Sequence, residues 1–190
     1  MATTQQPPTL VNGVKVENLF RTIEAIKAAP GIAKFKFRIR NRWEEGSLNR
    51  STVGAFSGAG QEQSRTKQFV LEADEPPVLL GTDQAANPVE HLLHALASCL
   101  TTSMVYHAAA RGIQLDEVES SFEGDIDLHG FLDLDKDVRK GFQGICVTFK
   151  IKADVPDAQL SEIAELGTGH SPVFDSLTRG VPVFVKAERL

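Results

Sequence analysis

The chain has 190 residues, 42% apolar and 24% charged, a balance that fits a folded globular domain and excludes disordered or fibrous classes. A formal net charge of −5 gives no general attraction to nucleic acid or anionic membranes. Eleven Phe against one Tyr and one Trp read as core rather than as a base-stacking surface. Two cysteines do not make a secreted disulfide framework, and Met1–Gln6 lacks the basic and apolar runs of a secretory leader, so a cytoplasmic protein is expected.

Met1–Pro8 reads as a loose polar tail. Val16–Ala29 places Leu19, Phe20, Ile23 and Ile26 at helical spacing and stops at Pro30-Gly31. Lys34–Trp43 alternates, with Phe35, Phe37 and Ile39 against Lys34, Lys36, Arg38 and Arg40, which predicts a half-buried strand. A turn at Glu44–Ser47 leads to short strands over Arg50–Phe56 and Gln68–Ala73, and Asp74–Gly81 is a Pro-rich loop.

Asn87–Arg111 is the most apolar helix the chain can form, closing at Gly112. At about 100° per residue, Cys99 shares a face with Leu92, Leu96, Ser103 and Tyr106, while Glu90, His94 and Thr101 fall opposite. The length raises a membrane-spanning reading, but Glu90, His91, His94, His107 and several hydroxyls argue against it. A thiol in that position is either a small core residue or an enclosed nucleophile.

Strands return at Val118–Leu128 and Phe142–Ala153, joined by an acidic-then-basic turn. Helices are expected at Asp157–Leu166 and Ser171–Arg179, then a last strand at Val181–Ala187. This order predicts an α+β domain with antiparallel sheet around a long central apolar helix, without internal repeats or a dividing linker.

Three pieces carry a resemblance: Asn87-Pro88, the run Leu92–Cys99 with Cys99 eleven residues after the Pro, and His170-Ser171-Pro172-Val173. In this order and spacing they resemble the OsmC/Ohr family over roughly Lys34–Leu190. The division expected is a tail and helical extension at 1–31 and an OsmC-like domain at 32–190. The resemblance implies an intertwined homodimer with the cysteines near the subunit interface. It also implies reduction of organic hydroperoxides by two cysteines, helped by an Arg and a Glu and restored by a dithiol.

Three points set this chain against that pattern: the second cysteine, the glutamate and the arginine. The family's resolving cysteine precedes a Pro, where this chain has Ser171, which reads as the N-cap of a helix opening at Pro172. That closes the intramolecular disulfide cycle unless Cys146 substitutes; mid-strand beside Thr148 and Lys150, Cys146 otherwise reads as an inert or exposed strand cysteine. Peroxidase members carry Glu directly after the Pro, where this chain has Val89. Glu90 lies one residue on and about 180° from Cys99, which suits a capping pair with Asn87 or reach into a partner subunit. The cation that a mid-helix thiol needs comes from the N-terminal strands in the family; Arg50 is the choice, with Arg42 and Arg65 as alternatives.

Other chemistries fail on spacing. Cys99 lies about 140° around from His94 and about 12 Å along the axis from His91, so one helix cannot build a joint His/Cys metal site. Asp133, Asp135 and Asp137 lack the Gly and Glu of a calcium loop, and His170-Ser171 has no third partner for hydrolysis. No metal or cofactor is expected.

Two functions follow. In the first, Cys99, Arg50 and Glu90 form the catalytic set of a one-cysteine organic hydroperoxide reductase in the oxidative-stress response, reset by an external thiol or by Cys99 chemistry across the dimer. Ser171, Tyr106, Leu92, Leu96 and Met104 then line the substrate pocket. In the second, a non-catalytic dimer binds a small apolar ligand or senses redox state through Cys99.

Overall fold

The computed structural model describes residues 10–189; the tail read over Met1–Pro8 lies outside them. The chain forms two compact units, Lys15–Leu92 and Leu93–Leu190, the latter joined by Val11–Val14. No helix among the described residues is long and apolar enough to cross a membrane.

A short hairpin, β1 (Leu10–Val11) and β2 (Val14–Lys15), turns on Asn12-Gly13 with φ of 52° and 75°. Both central residues with positive φ make this the I′ turn that Asn-Gly favours. Asn12 then uses both ends of its amide: Nδ2 donates to the Ile113 carbonyl at 2.9 Å, and Oδ1 accepts from the Leu115 amide at 2.7 Å.

In the first unit, α1 (Val16–Ala28) is followed by a 3-10 turn at Pro30–Ala33, close to the expected stop. A three-stranded antiparallel sheet has the order β3 (Ile39–Glu45), β4 (Leu48–Val53), β7 (Phe69–Ala73), with a small hairpin of β5 (Phe56–Gly58) and β6 (Gln61–Gln63). The strand expected over Lys34–Trp43 begins only at Ile39. Before it, Lys36 bridges to Ser57 and the Gly54 amide bonds to the Arg38 carbonyl, drawing the chain toward β5. Nor is β3 half-buried, since every residue of it is exposed, as are Phe35 and Phe37. Phe35, Phe37 and Phe56 stack on one another, and Arg65 lies over the Phe56 and Phe69 rings.

Asp74 directly follows β7 and is 1% exposed, the one fully buried charge among the described residues. Five donors satisfy it. Oδ1 accepts from the Ser47 hydroxyl at 2.5 Å and the Glu75 amide at 2.9 Å; Oδ2 accepts from the Thr82 hydroxyl at 2.6 Å and from the Thr82 and Gln84 amides, each at 3.1 Å. The Ser47 and Thr82 hydroxyls hold its carboxyl far below the ordinary carboxylate range, against the opposing effect of burial. The Asp74–Gly81 loop is therefore cinched at both ends, while Val78 and Leu80 at its tip stay exposed.

The second unit packs α2 (Pro88–Ala110) and α4 (Asp157–His170) on the antiparallel pair β8 (Leu115–Asp125) and β9 (Gly144–Ala153). Met104, Ala108, Leu115 and Ile163 form the core, with Val105, Val118, Phe149 and Leu166 around them. Between the strands lies a single turn of helix, α3 (Leu128–Phe131), capped by Asp127. Helix α4 runs past the expected stop at Leu166 because Gly167 serves packing rather than termination. A Cβ there would sit 2.9 Å from the Leu100 carbonyl oxygen of α2. After α5 (Pro172–Arg179), the expected last strand is not formed: residues 181–189 have no regular structure, and Phe184 is 93% exposed. A strand exists only through a ladder partner, and among the described residues this segment has none.

The helix packing and the buried carboxylate are each open to test. Gly167→Ala should destabilise by about 1–3 kcal/mol by overpacking against α2, whereas Gly169→Ala, with open space around it, should be neutral or gain up to about 1 kcal/mol in thermal melts. Because the native Asp74 pKa is depressed, its stabilisation is complete above the ordinary carboxyl range and fades as pH falls below about 4 toward the native value. Asp74→Asn should lower Tm at neutral pH by several degrees and flatten the acid limb of the Tm–pH curve.

Candidate functional site around Cys99

Helix α2 starts with the reciprocal cap that its sequence suggests. The Asn87 amide donates to Glu90 Oε2 at 2.8 Å, and the Glu90 amide donates to Asn87 Oδ1 at 2.9 Å. The Glu90 carboxylate is thereby occupied at the helix entry. His91 Nε2 donates to the Glu72 carbonyl at 2.8 Å, and His94 Nε2 lies 3.4 Å from the Ser98 hydroxyl. These two histidines do not converge, and among the described residues no group of three or more His, Cys, Asp and Glu is arranged to hold a metal ion.

Cys99 occupies the middle of α2, but it does not lie at the centre of a buried face. The buried ridge is Leu96, Leu100, Met104 and Ala108, spaced by four, and Cys99 sits half-buried on its flank. The expected face is thus rotated. Leu92 and Tyr106 are exposed, Tyr106 at 50%, and Met104 is wholly enclosed in the core and cannot line open space. The cause is that α2 is apolar nearly all round, so its own periodicity does not choose the inward side; Leu115 and Ile163 do.

One helical turn beyond Cys99, the Ser103 hydroxyl donates to the His170 carbonyl at 3.2 Å, fastening the α4–α5 junction to this part of α2. The next residue, Ser171, is 3% exposed and caps α5, its hydroxyl accepting from the Phe174 amide at 3.1 Å. That is the role its place before Pro172 implies. His170 also stacks on His107, ring centroids 3.6 Å apart, and burial, followed by the nearby His170 and Arg111, pushes the His107 imidazole down from its ordinary range. Cys146 is exposed on β9, paired in register with Glu123.

Of the three candidate arginines, all in the first unit, Arg50 is the one engaged with carboxylates. Its Nε and Nη2 reach Glu72 Oε1 at 2.8 and 2.7 Å, and Nη1 lies 3.7 Å from Glu44. The hydrogen bond and charge of Glu72, with the charge of Glu44, raise its pKa further. Arg42 is its register neighbour on β3, and Arg65 is spent on aromatic faces.

An open groove of about 400 Å³ in the second unit is lined by Asn12, Gly13, Val105, Gln114, Leu115, Asp116, Glu117 and Val118. None of the residues expected to line a substrate pocket takes part in it. Sequence reasoning missed Asp74 and the His107–His170 stack. A lone Asp ahead of a Pro-rich loop, with Ser47 and Thr82 distant in sequence, carries no periodic signal, and the histidines meet across 63 residues of chain.

Comparison with known proteins narrows the setting of this cysteine. No curated protein matches the sequence. Among solved structures, an OsmC-like protein from Mycoplasma pneumoniae superposes with TM-score 0.57 at 18% identity, covering 75% of this chain and 87% of that one. An organic hydroperoxide resistance protein OsmC from Legionella pneumophila gives 0.52 at 15%, covering 75% and 88%. A protein from Psychrobacter arcticus, described as an osmotic stress induced and detoxification response protein, gives 0.52 at 14%, covering 74% and 85%. These likenesses establish a shared fold. Residues 81–186 match the family of OsmC-like proteins, a span that runs from the loop before α2 through Cys99 and Ser171 into the C-terminal segment. The chain belongs to the OsmC-like family.

Proposed function

We propose that this protein is a one-cysteine organic hydroperoxide reductase of the oxidative-stress response, acting as a cytoplasmic homodimer. The observation that carries the proposal is the half-buried Cys99 beside the α4–α5 junction, which Ser103 holds one turn away. A thiol there is partly reachable, beside Leu96 and Leu100 of the buried ridge. In the reaction, the Cys99 thiolate attacks the distal peroxide oxygen, the O–O bond breaks, and the alkoxide leaves as an alcohol on taking a proton. The resulting sulfenic acid condenses with one external thiol, releasing water, and a second thiol displaces the mixed disulfide and restores Cys99. Ser171 cannot form an internal disulfide, so the reductant must enter from outside. Arg50 is the cation proposed to favour the thiolate. Glu90 is proposed to act by fixing the start of α2, with any direct role reserved for reach into the partner.

The homodimer is supported by surface that a lone chain leaves uncovered. Phe35, Phe37 and Ile39 are exposed beside the first sheet, and the alternating segment from Val181 lacks a ladder partner among the described residues. A second copy of the chain would supply both a cover and a strand neighbour.

A second reading has its own support. With Glu90 tied to Asn87 and Arg50 clamped by Glu72 and Glu44, the charged groups that would activate a thiol are already engaged. A non-catalytic dimer binding a small apolar ligand, or sensing redox state through Cys99, would need neither.

Hydroperoxide consumption decides between them. With cumene hydroperoxide and dithiothreitol or dihydrolipoamide, wild type should turn over and Cys99→Ser should fall to background; equal, background rates would sink the enzyme reading for these substrates. Arg50→Met should slow alkylation of Cys99 about tenfold at neutral pH. Ser171→Cys should allow the introduced thiol to form a disulfide with Cys99 on peroxide treatment, read as loss of both thiols in an intact-mass and thiol titration. Truncation after Gly180 should shift the protein from dimer to monomer in light scattering.

A further inference from the structure

His107 in α2 and His170 at the end of α4 stack face to face, with centroids 3.6 Å apart and planes inclined by 25°. The peroxidase reading makes no use of this contact. It stands at a mechanical joint, because the His170 backbone carbonyl is the acceptor for Ser103, one turn from Cys99, and the next residue is the buried cap Ser171. His170 Nδ1 donates to the Leu166 carbonyl at 3.1 Å, which fixes the tautomer and leaves Nε2 to take up a proton.

The charged surroundings are one-sided. Arg111, one turn beyond His107 on α2, donates from Nη1 to the His107 carbonyl at 3.3 Å. On α5 the nearest acid in sequence, Asp175, is paired with Arg179. Among the described residues no carboxylate forms an ion pair or hydrogen bond with either ring. Two neutral imidazoles, or one neutral and one protonated, can stack. Two imidazolium rings at this separation, with a guanidinium close by, repel one another, His107 from a half-buried position and His170 from an exposed one.

We propose that the His107–His170 stack is a pH-sensitive latch, which holds the α4–α5 junction against α2 while at most one ring is protonated and releases it, loosening the flank of Cys99, when acidification protonates both. The lowering of the His107 pKa by burial, His170 and Arg111 agrees in sign: protonation favours the open form, so the closed form gains stability as pH rises through the ordinary imidazole range and loses it as pH falls below. The relevance to catalysis rests on the peroxidase reading; the latch itself does not.

Hydrogen exchange on the full-length protein tests it, at about pH 5 and pH 7.5 with times scaled for intrinsic exchange. Peptides across residues 164–176 should exchange roughly tenfold faster at the lower pH, while β8 and β9 should not. The exposed Cys146 provides an internal reference for thiol chemistry: the ratio of Cys99 to Cys146 alkylation should rise on acidification. His107→Phe keeps an aromatic face and removes a proton site, so it should abolish both effects. His170→Phe should do the same and serves where the first variant folds poorly, with circular dichroism at pH 7.5 as the check. An acid response in these variants equal to wild type, or no response in wild type, would overturn the latch, and so would a Cys99 to Cys146 ratio that stays flat. No readout uses hydroperoxide, so failure of the peroxidase reading and failure of the latch are told apart.

Discussion

The seating of α2 on α4, where Leu100 and Met104 meet Gly167 and Ile163, determines what the mid-helix thiol can do. Leu100, Met104 and Ile163 are nearly or fully enclosed, and each contributes on the order of 1.5–3 kcal/mol by area burial, an upper bound for a compact unfolded state. Gly167 lets the α4 backbone come within a methyl's reach of the Leu100 carbonyl. A side chain at that position would push the helices apart. Cys99 lies off the ridge by one residue, so the packing that fixes the helix also keeps the sulfur at the edge of the core. A cysteine on the ridge would be inert filler; one opposite it would be an ordinary surface thiol.

What the sequence revealed and what it withheld divide along a physical line. Local chemistry was legible: the Asn87–Glu90 box, Ser171 as the cap before Pro172 and the stop of α1 near Pro30 all depend on residues within a few positions of one another. The family, too, was readable from spaced local pieces. What failed depended on partners. The face of α2 was misjudged because an all-round apolar helix takes its orientation from its neighbours. Helix α4 outran its expected end because the packing role of Gly167 is invisible without the opposing backbone. The segment after Gly180 alternates like a strand, yet alternation describes a capacity for pairing and does not supply the pairing strand.

Asp74 illustrates a different use of charge from the surface arginines. Arg50 trades contacts with Glu72 and Glu44 in partial exposure, where an ion pair contributes little because water competes for both partners. Among the described residues no cation pairs with Asp74. It is held by hydroxyls and amides alone, donors whose dipoles are fixed by the β3–β4 turn and by the loop after Pro76–Pro77. Removing any one donor leaves buried negative charge under-solvated, so the loop cannot relax piecemeal. This gives the chain entering α2 a rigid approach without any apolar core of its own, and it frees the tip residues Val78 and Leu80 to remain exposed.

The serine at position 171 then bears on chemistry through more than the absence of sulfur. The Ser171 hydroxyl is committed to the Phe174 amide, while the residue before it is pinned by Ser103 and stacked on His107. On the proposed latch, these contacts keep the junction closed under neutral conditions. For a peroxide-reducing cycle this shifts the demand from an internal rearrangement to entry of an external thiol at the Cys99 flank, and anything that loosens the junction acts on that entry. If both proposals hold, the serine that rules out a disulfide between positions 99 and 171 leaves the joint to act on access rather than on bond formation.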